Sequence, residues 1–212
     1  MFLSPDRCRM NTEVKTRSEL KRQAIIDAAK FAFKEYGVHA TSMDKLAEIA
    51  QVSKRTVYNH FATKESLLMY LVAELWQKSE QQVAIKYDKN ADLAAQLTEL
   101  LLAEINFICT EEHMDVSKVA IGHFFYDSKA LQKEFEKISC QEDAIMHWLT
   151  DATQDNKLDI SDIQFASDQL HSLIKGGCFW PQLFQMDNDF NDTKQRHLAQ
   201  ETASMFLARY QK

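Results

Sequence analysis

The sequence predicts an all-α protein, and three observations support this fold class. Only 4 Gly and 2 Pro occur among 212 residues, so few positions are suited to ending strands or forming tight turns. Long stretches rich in Ala, Leu, Lys, Glu and Gln keep an apolar period near 3.6 residues. With 45% apolar and 26% charged residues, the composition is that of a globular protein and not of a disordered or fibrous one.

Apolar spacing predicts a first helix over SELKRQAIIDAAKFAFKEYG, residues 18–37. The apolar residues recur on one face, and the pattern stops at Gly37, a residue common just past a helix end. After the turn VHA, either Thr41 or Ser42 can cap a second helix, because both side chains can accept a hydrogen bond from a first-turn amide. The second helix is predicted to run to about Ala50.

Two further capping residues mark the next helices. The three residues QVS interrupt the apolar pattern, and Ser53 can cap a short third helix that continues to His60 or Phe61. Thr63 can cap a longer fourth helix, KESLLMYLVAELWQKSEQQVAI, with leucines along one side. The fourth helix is predicted to connect a small N-terminal module to the rest of the chain.

The remainder of the chain predicts a larger helical part. Apolar periodicity places helices at about 92–109, 115–126, 129–153, 162–180 and 193–209. The fourth of these begins at SDIQ, where Ser161 and Gln164 fit a capping box. The polar segments TQDNKLD and QMDNDFND predict loops.

Charge is divided unevenly along the chain. The net charge of −6 by itself argues against nucleic-acid binding. Residues 1–65, however, carry 12 Lys and Arg against 8 Asp and Glu, a net charge of +4, and residues 66–212 carry 13 against 23, a net charge of −10. A basic N-terminal module joined to an acidic body is compatible with DNA binding by the module alone.

The second and third helices fit a helix-turn-helix. Ala47 is small where the two helices must touch, and Leu46 and Val57 can fill a core shared with the first helix. The outward face of the third helix then carries Lys54, Arg55, Thr56, Tyr58, Asn59 and His60. These side chains supply donors for phosphates and base edges. The alternative is an ordinary solvated helix face.

The stretch TSMDKLAEIAQVSKRTVYNHFATKESLL resembles the N-terminal DNA-binding module of the tetracycline-repressor (TetR/AcrR) family of transcriptional regulators, over about residues 18–70. The family pattern consists of a paired Thr/Ser, then I/L-A, then V-S-x-x-T-x-Y-x-H/Y-F, then K-E-x-L. The residues that match it are Thr41, Ser42, Leu46, Ala47, Val52, Ser53, Thr56, Tyr58, His60, Phe61, Lys64, Glu65 and Leu67. Gln51 stands where such modules usually have glycine. We expect it to adopt the turn conformation at some strain.

The resemblance implies DNA contacts for nine residues. Thr41 and Ser42 would meet a phosphate through a hydroxyl or a backbone amide. The residues expected to hold the DNA backbone on the other side of the groove are Tyr58, His60 and Lys64. The residues left to read bases are Lys54, Arg55, Thr56 and Asn59. Arg55 is expected to bond O6 and N7 of one guanine with its planar guanidinium.

The N-terminal arm carries further positive charge. Its candidates for phosphate or minor-groove contacts are Lys15, Arg17, Lys21 and Arg22. Ordinary solvated charge is the alternative for these four side chains.

The resemblance divides the chain into a flexible basic arm (1–17), a helix-turn-helix domain (18–65) and a helical ligand-binding and dimerisation domain (66–212). The segment LIKGGCFWPQLF looks like the end segment of the AefR-like subgroup. In this family the C-terminal domain usually dimerises through its last two long helices and often encloses a small-molecule pocket. Gly176 and Gly177 could permit close helix approach or merely end a helix, and Pro181 would kink or end it.

Aromatic residues of the C-terminal part are candidates for lining an apolar cavity. They are Phe107, Phe124, Phe125, Trp148, Phe179, Trp180 and Phe184, with polar contacts from His123, His147 or Cys178. For each aromatic, ordinary core packing is the alternative. The expected ligand is small and apolar or amphipathic, and the sequence does not identify it.

Several other classes lack support in the sequence. Cys109, His113 and His123 have no second compact pair of ligands, so no metal site is predicted. No G-x-S-x-G, P-loop or G-x-G-x-x-G occurs, and we expect neither an enzyme nor a cofactor. Four widely spaced cysteines without C-x-x-C predict unlinked thiols. With no signal peptide and no membrane-spanning apolar run, we expect a cytoplasmic protein.

Three functional hypotheses follow. The first is a homodimer that binds a near-palindromic operator and is released by a small molecule. The second keeps the DNA-binding module but makes the body a platform for a protein partner. The third is a helical enzyme with an incidental N-terminal module, which would need convergent titratable groups that the sequence does not show.

Overall fold

A computed structural model describes residues 16–83, 85–125, 144–186 and 189–212. It confirms the all-α fold class. In chain order the helices are α1 (Arg17–Ala40), α2 (Met43–Ile49), α3 (Lys54–His60), α4 (Lys64–Gln82), α5 (Leu93–Ile108), α6 (Glu111–Phe124), α7 (Ala144–Gln154), α8 (Ile163–Ile174), a π-helical segment (Lys175–Phe179), α9 (Trp180–Leu183) and α10 (Asp192–Tyr210). An isolated antiparallel bridge pairs Leu158 with Gln211 beside the end of α10.

The N-terminal helices begin where the caps predict. Ser42, and not Thr41, caps α2, with its hydroxyl accepting a hydrogen bond from the amide of Lys45. Ser53 caps α3 and Thr63 caps α4, as predicted. Gly37 has a φ of 76° and kinks α1 close to its end. Glycine tolerates this left-handed backbone because it has no Cβ.

Helix bounds in the C-terminal part differ from the predictions in three places. α6 begins at Glu111, four residues early, because Thr110 accepts a hydrogen bond from the amide of His113 and caps it. Asp162, and not Ser161, caps α8. Residues 126–143 lie outside the described residues, so only the Ala144–Gln154 part of the predicted 129–153 helix is observed.

We call α1–α3 (residues 17–60) the head and α5–α10 (residues 93–210) the body, with α4 between them. One hydrophobic cluster fills the body, where α10 lies along α5 and α8 packs on α7. The second cluster combines the head with α4 and with residues of α5 and α6, namely Phe107, Val116, Ala120 and Phe124. α6 therefore contributes side chains to the core of the head.

Ion pairs also join α1 to the body. The ammonium of Lys30 lies 2.6 Å from a carboxylate oxygen of Glu112 on α6 and 2.9 Å from one of Glu74 on α4. The ammonium of Lys78 lies 2.7 Å from the other oxygen of Glu112. Burial favours the neutral acid, but the hydrogen bonds from both lysines outweigh it and lower the pKa of Glu112. This stabilisation is therefore present at neutral pH and is lost as the pH falls through that lowered pKa.

Next to that junction, Lys34 of α1 forms a second set of ion pairs with the first turn of α6. Its ammonium lies 2.6 Å from Asp115 and 3.1 Å from Glu111. The pair with Glu111 is solvent-exposed and the pair with Asp115 is only partly buried, so their contribution to stability is small. Lys34 lies one turn after Lys30 on α1, so the two sets of ion pairs together align α6 with α1.

Among the described residues, no single helix is both long and apolar enough to cross a bilayer. α5 and α6 meet that test only as a pair, and the chain bends by 65° between them.

The glycine pair does not end a helix. Gly176 and Gly177 lie in the π-helical segment, and helical backbone continues to Leu183. A Cβ on Gly177 would lie 2.7 Å from Cδ1 of Leu198 on α10, whereas a Cβ on Gly176 would meet nothing within 4 Å. Gly177 thus lets the π-helical segment approach α10. Pro181 lies in the first turn of α9, where its missing amide hydrogen is tolerated.

The two glycines give a matched pair of variants. Gly176→Ala is expected to raise the free energy of unfolding by up to about 1 kcal/mol, through helix propensity. Gly177→Ala should not raise the free energy of unfolding, because its Cβ would clash with Leu198 and overpacking costs about 1–3 kcal/mol. Urea denaturation measures both. In a Leu198→Ala background the two substitutions should become equivalent, and a difference that persists there would contradict this explanation.

Candidate nucleic-acid interface

The turn between α2 and α3 fixes how the two helices cross. Leu46 and Val57 are fully buried between α1, α2 and α3, and Ala47 is nearly so. Gln51 has a φ of 54°, so the expected left-handed turn residue is confirmed. Because L-residues pay an energetic cost in this region, the buried contacts of Leu46 and Val57 must hold the turn.

The outward face of α3 is exposed as the sequence predicts. Lys54, Arg55, Tyr58 and Asn59 are exposed, and Thr56 and His60 are half-buried. Tyr58 keeps 54% of its surface accessible. Lys54 forms an ion pair of 2.6 Å with Asp44 of α2, whereas Arg55 has no ion pair within the described part of the chain. Arg55 is therefore a donor on this face whose charge no described carboxylate neutralises.

A groove beside α3 brings several predicted contact residues together. It has a volume of about 390 Å³ and lies between the starts of α2 and α4. Ser42, Tyr58, Thr63 and Lys64 line it. Thr63 was predicted only as a cap, although the same residue types that cap helices also bind phosphates. The groove therefore has hydroxyls and the ammonium of Lys64 on its walls, together with the acidic residue Glu65.

Thr41 does not take the predicted role. Its side chain is only 1% exposed, and its hydroxyl donates to the carbonyl oxygens of Gly37 at 2.8 Å and Ala32 at 3.3 Å. Its backbone amide donates to Val38. Thr41 thus hydrogen-bonds to carbonyl oxygens at the kinked end of α1. Neither its hydroxyl nor its amide is available to a phosphate.

Lys64 is half-buried and bonded within the protein. Its ammonium donates to the carbonyl oxygens of Val38 at 2.8 Å and His39 at 3.0 Å. These are carbonyls at the end of α1, where a positive charge is favourable. Lys64 therefore ties α4 to α1 as well as lining the groove.

The arm cations differ in their surroundings. Arg17 and Lys21 are exposed at the start of α1. The guanidinium carbon of Arg22 lies 4.2 Å from the ring centroid of Tyr70 and 5.0 Å from that of Phe61. Such cation–π contacts stabilise a fold, so Arg22 braces α1 against α4. Lys15 lies outside the described residues.

The residues predicted to line one body cavity do not converge. Trp148 is 1% exposed in the body core, with its ring against Tyr87. The ring of His113 makes edge contacts with both Phe107 and Phe179. His123 and Phe124 pack together at the far end of α6, in contact with His39 of the head.

The remaining cavity candidates divide between core and surface. Cys178 is fully buried beside Phe179. His147 is exposed, which contradicts its predicted place in an enclosed pocket. Phe125, Trp180 and Phe184 are also exposed. Apolar periodicity identified buried helix faces but not which faces meet.

A groove that the sequence did not indicate lies between α1, α4 and α6. It has a volume of about 530 Å³, within the range of small-molecule sites. Its apolar lining includes Phe31, Phe33, Leu68 and Val116, and the ion pairs of Lys30 and Lys34 lie along it.

No three metal-ligating side chains come together within the described ranges. Cys109, His113 and His123 have separate neighbours. Burial, with a smaller effect from the charge of Lys175, lowers the pKa of His113 to about 4. His113 is therefore neutral and packs as an aromatic ring.

Two family models match the chain. Residues 25–71 match the model described as bacterial regulatory proteins, tetR family. Residues 95–212 match the C-terminal domain of AefR-like transcriptional repressors.

Individual proteins show the same similarity. The chain is 27% identical over 140 residues to the HTH-type transcriptional regulator AcrR of Shigella flexneri, and the match spans 63% of each chain. A crystal structure of a TetR family transcriptional regulator from Pseudomonas syringae pv. tomato aligns with a TM-score of 0.78 at 31% identity, over 91% of this chain and 98% of that one. A SmeT–triclosan complex shares the fold with a TM-score of 0.66 at 19% identity, over 91% and 92% of the two chains.

The turn residue Gln51 gives a test of the local geometry. A non-glycine residue in left-handed backbone costs about 1–2 kcal/mol, which glycine avoids. Glycine, however, loses more conformational entropy on folding, which costs about 0.5–1 kcal/mol. Gln51→Gly should therefore be more stable than Gln51→Ala by up to about 1 kcal/mol. Both variants lack the amide side chain, so their difference in urea denaturation reports on the backbone. Equal stabilities would show that the turn is not strained.

Proposed function

Since the chain belongs to the TetR family of bacterial transcriptional regulators, we propose that it is a homodimeric repressor that a small molecule releases from a near-palindromic operator. The observation that carries this proposal is the exposed face of α3. Buried Leu46 and Val57 hold that face, and the groove lined by Ser42, Tyr58, Thr63 and Lys64 lies directly beside it. The proposed site of action is the cytoplasm.

In the proposed complex, α3 enters the major groove of DNA. Arg55 bonds a guanine, because its guanidinium is exposed and unpaired among the described residues. The other base-reading candidates are Lys54, Thr56 and Asn59. Lys54 must first leave Asp44, from which it is 2.6 Å away, so it contributes less net affinity than an unpaired lysine would.

The DNA backbone would be held from the groove beside α3. Ser42, Tyr58 and Thr63 supply hydroxyls to this groove, which lies at the starts of α2 and α4. Lys64 adds charge and fixes α4 on α1, and half-buried His60 lies at the end of α3. These contacts fix orientation and carry no base preference.

Dimerisation is proposed through the surface of α8, α9 and α10. Along these helices the exposed large apolar side chains are Phe165, Leu173, Trp180, Phe184 and Met205. Exposed apolar residues of this size and number mark an interaction surface. Two copies related by a twofold axis would place the two α3 helices about one DNA turn apart, roughly 34–36 Å.

Release by a ligand would act through the contact between body and head. The proposed compound binds one conformation of the dimer, with a different spacing of the heads, more tightly than the operator-binding conformation. Such a compound weakens operator binding by the difference between its binding free energies for the two conformations. The groove of about 530 Å³ between α1, α4 and α6 supports such control, because its walls belong to both parts. The SmeT–triclosan complex and the description of SmeT as a repressor of a multidrug efflux pump of Stenotrophomonas maltophilia favour an apolar or amphipathic ligand.

A second candidate is a DNA-bound regulator controlled by a protein partner. The exposed surface around Trp180, Phe184 and Met186 favours it, provided that the dimer leaves part of this surface uncovered. No enzymatic role is proposed.

Two variants of α3 separate base reading from backbone contact. Arg55→Ala should relax preference at one base pair in each half-site, with a loss of about 1–3 kcal/mol for the best base and little loss for the others. Tyr58→Phe removes one phosphate contact, so it should weaken binding by a similar factor on every sequence. Binding to a panel of operator variants at fixed salt measures both. If Arg55→Ala discriminates among the variants as the parent does, Arg55 does not read a base.

Ligand control makes a reciprocal prediction. For a compound that lowers operator affinity, saturating operator should lower the affinity for the compound by the same factor, about 5–150-fold. Isothermal titration with and without operator checks this. Identical affinities would exclude release by differential binding.

A further inference from the structure

Two cysteines far apart in sequence meet at the junction of α5, α6 and the π-helical segment. Cys109 ends α5, and Cys178 lies in the π-helical segment. Their side chains are neighbours, and each shifts the pKa of the other. The amide nitrogen of Gln182 donates to the sulfur of Cys109 at 3.1 Å and to the backbone carbonyl of Cys178 at 2.8 Å. The side chain of Gln182 thereby contacts both cysteines.

The two thiols have different environments. Cys178 is fully buried, whereas Cys109 is partly accessible. The hydrogen bond from Cys178, assisted by Gln182 and opposed by burial, lowers the pKa of Cys109 to about 7. The hydrogen bond to Cys109 and burial raise the pKa of Cys178. Near neutral pH, Cys109 is therefore a partly ionised, accessible nucleophile, and Cys178 is a protonated neighbour.

We propose that Cys109 and Cys178 form a redox modification site, at which a hydroperoxide converts the dithiol into an intramolecular disulfide. The π-helical segment supports this assignment, because π-helical turns in proteins occur frequently at functional sites. Two accidental core thiols would need neither the accessibility of Cys109 nor the amide that Gln182 directs at its sulfur.

The chemistry proceeds in two balanced steps. The Cys109 thiolate attacks one oxygen of the hydroperoxide, the O–O bond breaks, and Cys109 becomes a sulfenic acid while the leaving oxygen takes up a proton as water or an alcohol. The sulfur of Cys178 then attacks the sulfenic sulfur, the S–O bond breaks, and the departing hydroxide leaves as water with the Cys178 proton. Overall the two thiols lose two electrons and two protons, which the hydroperoxide accepts.

The position of the pair suggests what the disulfide does. Cys109 immediately precedes Thr110, the cap of α6, and the first turn of α6 carries Glu112, which bonds Lys30 of the head. Drawing the two sulfurs into covalent contact moves the start of α6 relative to the π-helical segment. Oxidation should therefore alter the position of the head. This regulatory consequence rests on the proposed DNA-binding function, whereas disulfide formation does not.

The chemical test uses the full chain with the other two cysteines replaced, Cys8→Ser and Cys140→Ser. After hydrogen peroxide treatment, intact mass should fall by two hydrogens, and peptide mapping should find Cys109 joined to Cys178 in one chain, reversibly with dithiothreitol. Adding Cys178→Ser should leave a sulfenic acid on Cys109 that dimedone traps. Adding Cys109→Ser should abolish the reaction. Linkage only between chains, or no linkage, would overturn the proposal.

A second readout separates reactivity from mere proximity. The rate of peroxide consumption should rise with pH through a midpoint near the pKa of Cys109, about 7. Cys178→Ala and Gln182→Leu each remove a donor to the Cys109 sulfur, so both should shift the midpoint upward. A midpoint that neither variant moves would show that the contacts do not activate Cys109.

The regulatory test compares reduced and oxidised protein on the same DNA fragments. The oxidised form should differ from the reduced form in operator affinity by about fivefold or more, and peroxide-treated Cys178→Ser should show no such change. A disulfide that forms without altering affinity rejects the regulatory consequence. Failure of the reduced protein to bind any fragment rejects the proposed DNA-binding function and leaves the mass measurements unaffected.

Discussion

Helix α6 packs its side chains into the hydrophobic core of the head, and this contact determines how the rest of the molecule can move. Val116, Ala120 and Phe124 of α6 lie in the same cluster as Leu46 and Val57, which hold α3. Burial of such side chains contributes about 1.5–3 kcal/mol for each large one. The ion pairs beside them are partly exposed and contribute about 0–1 kcal/mol each. Apolar packing therefore contributes most of the free energy that holds the body and the head together. The ion pairs mainly align the helices. A displacement of α6 reaches α3 through side chains already in contact.

This constraint gives the proposed regulation of the basic head by the acidic body a physical route. The head has little freedom to rotate independently, because α1 is packed on α4 and α6 and braced by the stacking of Arg22 on Tyr70. Events at the start of α6 are well placed to affect it. Glu111 and Glu112 of this start line the groove along α1, α4 and α6, and Cys109 lies two residues before Glu111 in the chain. A bound molecule and an oxidant would then act on the same helix.

The sequence predicts features that depend on neighbouring residues and misses those that depend on distant ones. The caps Ser53 and Thr63, the buried Val57 and the exposed Arg55 all follow from spacing within a few residues. The sequence predicts a phosphate contact for Thr41, but the kink at Gly37 brings carbonyl oxygens of α1 within reach of its hydroxyl, and local spacing does not show this kink. Likewise, nothing local indicates that Lys64 reaches the end of α1 or that Cys109 meets Cys178. The aromatic residues of the body were placed in one pocket because periodicity gives the buried face of a helix but not its partner.

The central claim is that two heads, each held firmly on its body by α6, present their α3 faces to one DNA duplex at a fixed separation. Selection of bound sequences from a random DNA library by the full-length protein, at low ionic strength with bulk competitor, tests it most directly. The account predicts enrichment of inverted half-sites with a single spacing near one helical turn, about 10–10.5 base pairs between centres. No enrichment, or half-sites enriched at freely varying separations, would contradict it.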